Sequence, residues 1–184
     1  GMGFLCAPLY HPAMKAVAQV RAQLGVRTCF NLLGPLANPA GVRRQVVGTW
    51  SPRAAELVAS IFAGLAPASA AVVHAGDGLD EVSPAAPTEV RSIGPSGPLG
   101  VRTIGPESFG LPAVGSLASV AGGSPAENAA AGLRVLRGEP GPMRDFVLMN
   151  AALGLSVARE RLSLEEAVAL CAESIDSGKA IRVL

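Results

Sequence analysis

The stretch QVVGTWSPRAAELVASIFAGLAPASAAVVHA, residues 45–75, constrains the fold more than any other part of the chain. It opens on QVVGTW, which has the composition of a strand. Ser51 then stands where an N-cap belongs, Pro52 falls in the first turn, and Leu57, Val58, Ile61, Phe62 and Leu65 recur at helical spacing. SAAVVHA, residues 69–75, is a short apolar run of the kind that forms a strand buried on both faces. Strand, helix and strand in that order predict a right-handed parallel crossover and place the chain in the α/β class.

Downstream, TEVRSI and LGVRTI flank the turn-rich GPSGP and predict an exposed antiparallel hairpin. The remainder reads as helical. Ser124 with Glu127 and Ser163 with Glu166 have the spacing of two capping boxes, and Gly138 and Gly178 stand as C-terminal stops. The expected architecture is a partial mixed sheet, one parallel crossover and one antiparallel hairpin, covered by helices. With 184 residues and neither an internal repeat nor a low-complexity linker, a single domain over 1–184 is expected.

Upstream, PAMKAVAQVRAQL, residues 12–24, predicts a helix with Ala13, Val17, Val20 and Leu24 on one apolar stripe, Pro12 at its start and Gly25 as its cap. His11, Met14, Ala18 and Arg21 form a second row that can face something other than a core. The following GPLANP, residues 34–39, holds two prolines and a glycine. It predicts a stiff loop, because proline ends helices and is excluded from central strands.

Several function classes drop out. The chain has 15 Lys and Arg against 14 Asp and Glu, a net charge of +1 without basic blocks, and 4% aromatic residues. It therefore has neither the electrostatic footprint nor the stacking platforms of a nucleic-acid binder. No uninterrupted apolar run approaches the roughly 20 residues needed to span a bilayer, so no membrane partner is expected. Cys6, Cys29 and Cys171 are odd in number and far apart, without a CxxC spacing. They read as reduced thiols in a cytoplasmic protein, and no signal peptide is evident.

The most chemically loaded stretch is HAGDGLDEVS, where Asp77, Asp80 and Glu81 fall just past the end of a buried strand, the place where α/β folds build ligand sites. Carboxylates interleaved with glycines suit Mg2+, a hard ion that takes oxygen ligands; a solvated acidic turn has the same composition. Arg21 could grip a carboxylate in bidentate fashion or serve as an exposed helix arginine. His11 reads as a ligand, an acid/base group or a helix cap, and His74 as a hydrogen-bonded core residue. No nucleophilic triad and no Gly-rich loop of the P-loop or dinucleotide type is present.

Taken together, GFLCAPLYHPAMKAVAQVRAQLGVRTCFNLLGPLANPAG, VVHAGDGLDEVS and GGSPAENAAAGLRVLRGEPGPMRDFVLMNAA resemble anthranilate phosphoribosyltransferase, and the blocks HPAMK, LGVRT, FNLLGPL and DGLDE carry the likeness. The similarity runs from end to end of this chain but over only about the second half of the usual family chain. It implies transfer of a phosphoribosyl group from phosphoribosyl pyrophosphate to anthranilate, with Mg2+ assisting, in tryptophan synthesis. It also implies that Arg21 lines the anthranilate path with Ala7, Pro8, His11, Met14, Gly34 and Pro35 beside it, and that Asp80 and Glu81 are the acidic pair of the Mg2+ site. GPLANP would then be a dry wall against an aromatic ring.

The likeness lacks two things. The family's glycine-rich GTGGD turn and KHGN segment have no counterpart here, nor does the N-terminal helical domain. A truncated chain, inactive alone and holding Mg2+ weakly or not at all, is therefore expected. A non-catalytic interaction module, a half-enzyme needing a separate N-terminal chain, and a relative of the pyrimidine nucleoside phosphorylases are the alternatives. Residues 11–39 would in the family pack on the absent domain. Ala13, Val17, Val20, Leu24, Phe30, Leu32 and Leu33 would then need another cover, so a homo-oligomer or a complementary N-terminal half is the expected partner.

Overall fold

The structure is a computed structural model of the chain, and it describes residues 2, 3, 5, 7–10, 15–26, 30–38, 40–159 and 161–184. Two compact units are present, Gly1–Arg43 and Arg44–Leu184.

Among its described residues the first unit contains three helices, α1 (Ala7–Tyr10), α2 (Lys15–Leu24) and α3 (Phe30–Leu36). α2 ends where expected: Gly25 takes φ +62°, a left-handed conformation in which a side chain would be strained. Of the predicted apolar stripe, Val17 is half-buried, whereas Val20 and Leu24 are 54% and 55% exposed; Ala13 lies outside the described residues. The predicted loop needs correction, because α3 runs through both Gly34 and Pro35. Proline costs a helix one backbone donor, and here it enters only at the penultimate position. Ala37 still donates to the Leu33 carbonyl at 2.8 Å, so the backbone turns out of the helix only at Ala37 and Asn38.

The second unit is built on a four-stranded sheet of β1 (Arg44–Gly48), β2 (Ser69–Ala75), β3 (Thr88–Gly94) and β4 (Gly97–Ile104), in that spatial order. β1 and β2 pair in parallel, with Val46 opposite Ala71, and α4 (Pro52–Leu65) makes the crossover between them. The Ser51 hydroxyl accepts from the Ala54 N–H at 3.2 Å, as the sequence predicts for an N-cap. The buried face of α4 is Ala54, Ala55, Val58 and Phe62, whereas Leu57 and Leu65 of the predicted set are exposed. The small alanines let the helix lie close on the sheet and shift its buried stripe round the axis.

β2 is apolar throughout because both its faces are covered. Ala71 and Val73 join Val82, Val90, Met149, Ala152 and Leu153 in the main core, while the alternate residues Ala70 and Val72 are also buried and point to the other face, where α4 packs. β3 and β4 form the predicted antiparallel hairpin, closing at Gly94 and Gly97. Only its outer strand is exposed: Pro98 to Thr103 of β4 face solvent, but Val90 and Ile93 of β3 are core.

Three further α-helices, α5 (Pro125–Leu136), α6 (Pro142–Ala158) and α7 (Leu164–Asp176), follow, with short 3-10 turns at Pro106–Phe109, Leu117–Val120 and Ile181–Val183. α6 supplies Leu148, Met149, Ala152 and Leu153 to the interior. Both predicted capping boxes form: the backbone N–H of Ser124 reaches Glu127 at 2.8 Å, and that of Ser163 reaches Glu166 at 2.9 Å. Gly138 and Gly178 both take positive φ just past their helices.

Candidate functional site

The chain leaves β2 at Ala75 and enters the acidic turn. Ala75 N–H donates to the Leu79 carbonyl at 3.0 Å, and Gly78 N–H returns to the Ala75 carbonyl at 2.9 Å with Gly78 at φ +90°. Asp77 closes this turn from within. One of its carboxylate oxygens accepts from the Leu79 N–H at 3.2 Å and the other from the Ser83 hydroxyl at 2.6 Å. Ser83 Oγ in turn accepts from the backbone N–H groups of Ala85 and Ala86. Asp77 is thus the brace of the turn, and of the three carboxylates in this stretch Asp80 and Glu81, the pair named by the resemblance, stand outside that brace and are exposed. Among the described residues no group of three or more His, Cys, Asp or Glu side chains converges as a metal cage.

Two contacts from outside the turn place this pair. At the end of β1, a Cβ on Gly48 would collide with the Asp80 backbone carbonyl, so only glycine lets the turn lie this close to the strand. On the other side Val82 is fully buried, and Asn150 of α6 holds it by both backbone groups. Glu81 therefore sits between a residue pressed on a glycine and a residue anchored in the core. Desolvation, and then the charge of Asp80, lift the Glu81 carboxyl above its ordinary range. A cation bound between the two would offset the repulsion between them, and a pair of oxygen donors suits a hard divalent ion that keeps water and phosphate ligands. The donor set fits Mg2+.

His74 behaves as expected of a core histidine: its Nδ1 lies 3.0 Å from the carbonyl oxygen of Thr49, whose own hydroxyl donates to the Val73 carbonyl at 3.0 Å. The residues of the predicted anthranilate wall fall in the first unit, and the acidic pair in the second. Gly34 and Pro35 are consecutive and half-buried in α3. Ala7 and Pro8 lie in α1 and Arg21 lies in the last turns of α2. His11 and Met14 lie outside the described residues.

Sequence reasoning missed two residues of the site, Gly48 and Asn150. A lone glycine inside a strand pattern signals close backbone approach, and a lone asparagine within VLMNAALGL signals a buried polar contact. Neither signal names the partner.

A hollow of about 570 Å³ lies away from this turn, beside α5 and the start of α6. The charges around it are already paired: Arg144 with Asp176 at 2.7 Å, Arg134 with Glu139 at 3.6 Å and Glu127 with Ser124.

Residues 1–181 match the model of a glycosyl transferase family, a/b domain. The anthranilate phosphoribosyltransferase of Moorella thermoacetica is 47% identical over 180 residues, which cover 98% of this chain and 52% of that protein. The Saccharomyces cerevisiae anthranilate phosphoribosyltransferase in complex with 4-fluoroanthranilate superposes with a TM-score of 0.90 at 34% identity, over 98% of this chain and 52% of that one. The same yeast enzyme in complex with PRPP and Mg gives a TM-score of 0.84 at 34% identity, over 94% and 49% of the two chains. The chain spans about half the length of the curated relatives it matches.

Proposed function

The chain belongs to the glycosyl transferase family by its a/b domain, and from that premise we propose that it carries the metal-holding and anthranilate-facing part of an anthranilate phosphoribosyltransferase, which moves phosphoribosyl from phosphoribosyl pyrophosphate to the amino group of anthranilate. The observation that carries this reading is the Asp80–Glu81 pair, presented at the C-terminal end of β2 by a turn braced at Asp77, Gly48 and Val82.

Asp80 and Glu81 would hold Mg2+, the ion bound in the yeast relative. An ion held there would supply positive charge against the departing pyrophosphate. Arg21 would take the anthranilate carboxylate, with Ala7, Pro8, His11, Met14, Gly34 and Pro35 as the wall beside the ring. Nothing in this arrangement calls for a covalent intermediate. The work of these residues is to orient the amine and to exclude water.

The reading includes a requirement for the part of the relatives' length that these residues do not span, because preorganised backbone around pyrophosphate is where the transfer gains most. The partner is then a polypeptide supplying that part, or a second copy of this chain covering α2. A cytoplasmic site of action accords with Cys171 being a free thiol. The test follows anthranilate fluorescence with Mg2+ and phosphoribosyl pyrophosphate, using the chain alone and with the N-terminal half of the Moorella relative added. Turnover should appear only with the added half and vanish in Asp80→Asn/Glu81→Gln. Turnover that survives that double substitution would refute the assignment of the pair.

A further inference from the structure

Asn150 lies in the middle of α6, beside the buried residues Leu148, Met149, Ala152 and Leu153. Its side-chain oxygen accepts from the Val82 N–H at 2.9 Å, and its Nδ2 donates to the Val82 carbonyl at 3.1 Å and to the Phe146 carbonyl, one helical turn back, also at 3.1 Å. The orientation of the amide follows from the partners, since a backbone N–H needs the oxygen and two carbonyls need the two N–H groups. Both amide hydrogens are used. The third bond ties the amide to its own helix, so it is a fixed fork and not a swinging side chain.

The fork grips Val82 on both sides of its Cα. The Val82 N–H belongs to the peptide plane that also contains the Glu81 Cα, and planarity of that unit passes the constraint to the origin of the Glu81 side chain. Val82 itself is 0% exposed and packs with Met149, Ala152 and Leu153. On the other side, Gly48 fixes how closely the Asp80 backbone can approach β1. We propose that Asn150 is a positioning residue for the Asp80–Glu81 pair, holding the two carboxylates in the separation a divalent cation needs. This rests on the metal reading given above and adds a residue 70 positions away in sequence from Asp80 that touches neither the ion nor the substrate.

Partners of metal ligands set affinity by removing the motion the ligands would otherwise lose on binding, and their loss commonly weakens binding about 10- to 100-fold. The experiment measures Mn2+ affinity of the chain by electron paramagnetic resonance, per folded molecule, for wild type, Asn150→Leu, Asn150→Asp and Asp80→Asn/Glu81→Gln. Exchange of the Val82 amide proton and the urea unfolding midpoint are recorded alongside. The expected result is loss of Mn2+ binding in the double variant and weakening on the order of tenfold in Asn150→Leu, with faster Val82 exchange. Asn150→Asp, which keeps an acceptor for the Val82 N–H but loses the donor, should fall between. Wild-type affinity in both Asn150 variants, while the double variant fails to bind, would overturn the positioning role and leave the metal reading standing. Mn2+ binding that survives Asp80→Asn/Glu81→Gln would overturn the metal reading and the proposal with it.

Discussion

The backbone carbonyl of Asp80 occupies the space that a side chain on Gly48 would need. A strand and a turn that begin 32 residues apart in sequence are thereby locked together at the peptide carbonyl preceding Glu81. The last residue of β1 thus becomes part of the acidic site without offering it any functional group.

Gly48→Ala should therefore act on stability and on the site at once. The Asp80 main chain must move, and overpacking of this kind costs about 1–3 kcal/mol. Urea unfolding should show a lower midpoint at unchanged m-value, and Mn2+ affinity should fall. Gly132→Ala is the control: it lies in α5 with nothing within 4 Å of the added Cβ. It should be neutral or stabilising by up to about 1 kcal/mol, the helix preference of alanine over glycine. Equal behaviour of the two variants would show that the Gly48 contact yields freely.

Acid should destabilise the protein through its helix ends. Hydrogen bonds from Ser124 and Ser163 hold the carboxyls of Glu127 and Glu166 below their ordinary value of 4.5, and Arg144 does the same for Asp176. A carboxyl depressed in the folded state contributes stability that is complete above its unfolded pKa and disappears as pH falls through the folded one. Asp145 and Glu81, both lifted chiefly by desolvation, run the other way and gain as pH falls. Thermal midpoints should be level near neutrality and drop below about pH 4.5. In Glu127→Gln/Glu166→Gln, which keeps the caps uncharged, the drop should be shallower. An unchanged acid slope would mean that the caps contribute no pH-dependent stability.

The chain on its own should self-associate through α2. Val20 and Leu24 of α2, and Val26 just past its cap, are 54%, 55% and 65% exposed, and at about 25 cal/mol per Å² their burial against a neighbour favours association. Light scattering should give a mass above that of one chain and rising with concentration, with Val17→Asp/Val20→Asp restoring a single chain. A wild-type monomer at every concentration would remove the argument for a partner at this face.

The elements legible in the sequence are those whose determinants are local. The crossover of β1, α4 and β2, the hairpin, both capping boxes and the left-handed glycines each depend on residues within one or two turns of chain, where spacing and backbone stereochemistry act directly. Local rules also misled at Pro35, which reads as a helix breaker yet sits in the last turn of α3, where little helix remains to break. At Leu57 and Leu65 helical spacing was right but the face was not, because only the sheet decides which stripe of α4 it covers. In the site, spacing alone located the acidic stretch and left Asp77 beside Asp80 and Glu81, and only the resemblance singled out the latter two. The structural distinction between them needed Ser83 folded back onto Asp77, Gly48 brought against Asp80 and Asn150 against Val82. Composition and periodicity determine which segments become strand, helix or turn. Which carboxylate braces the turn and which stays outside the brace is a matter of contacts beyond the local pattern, and only the packed tertiary structure decides it.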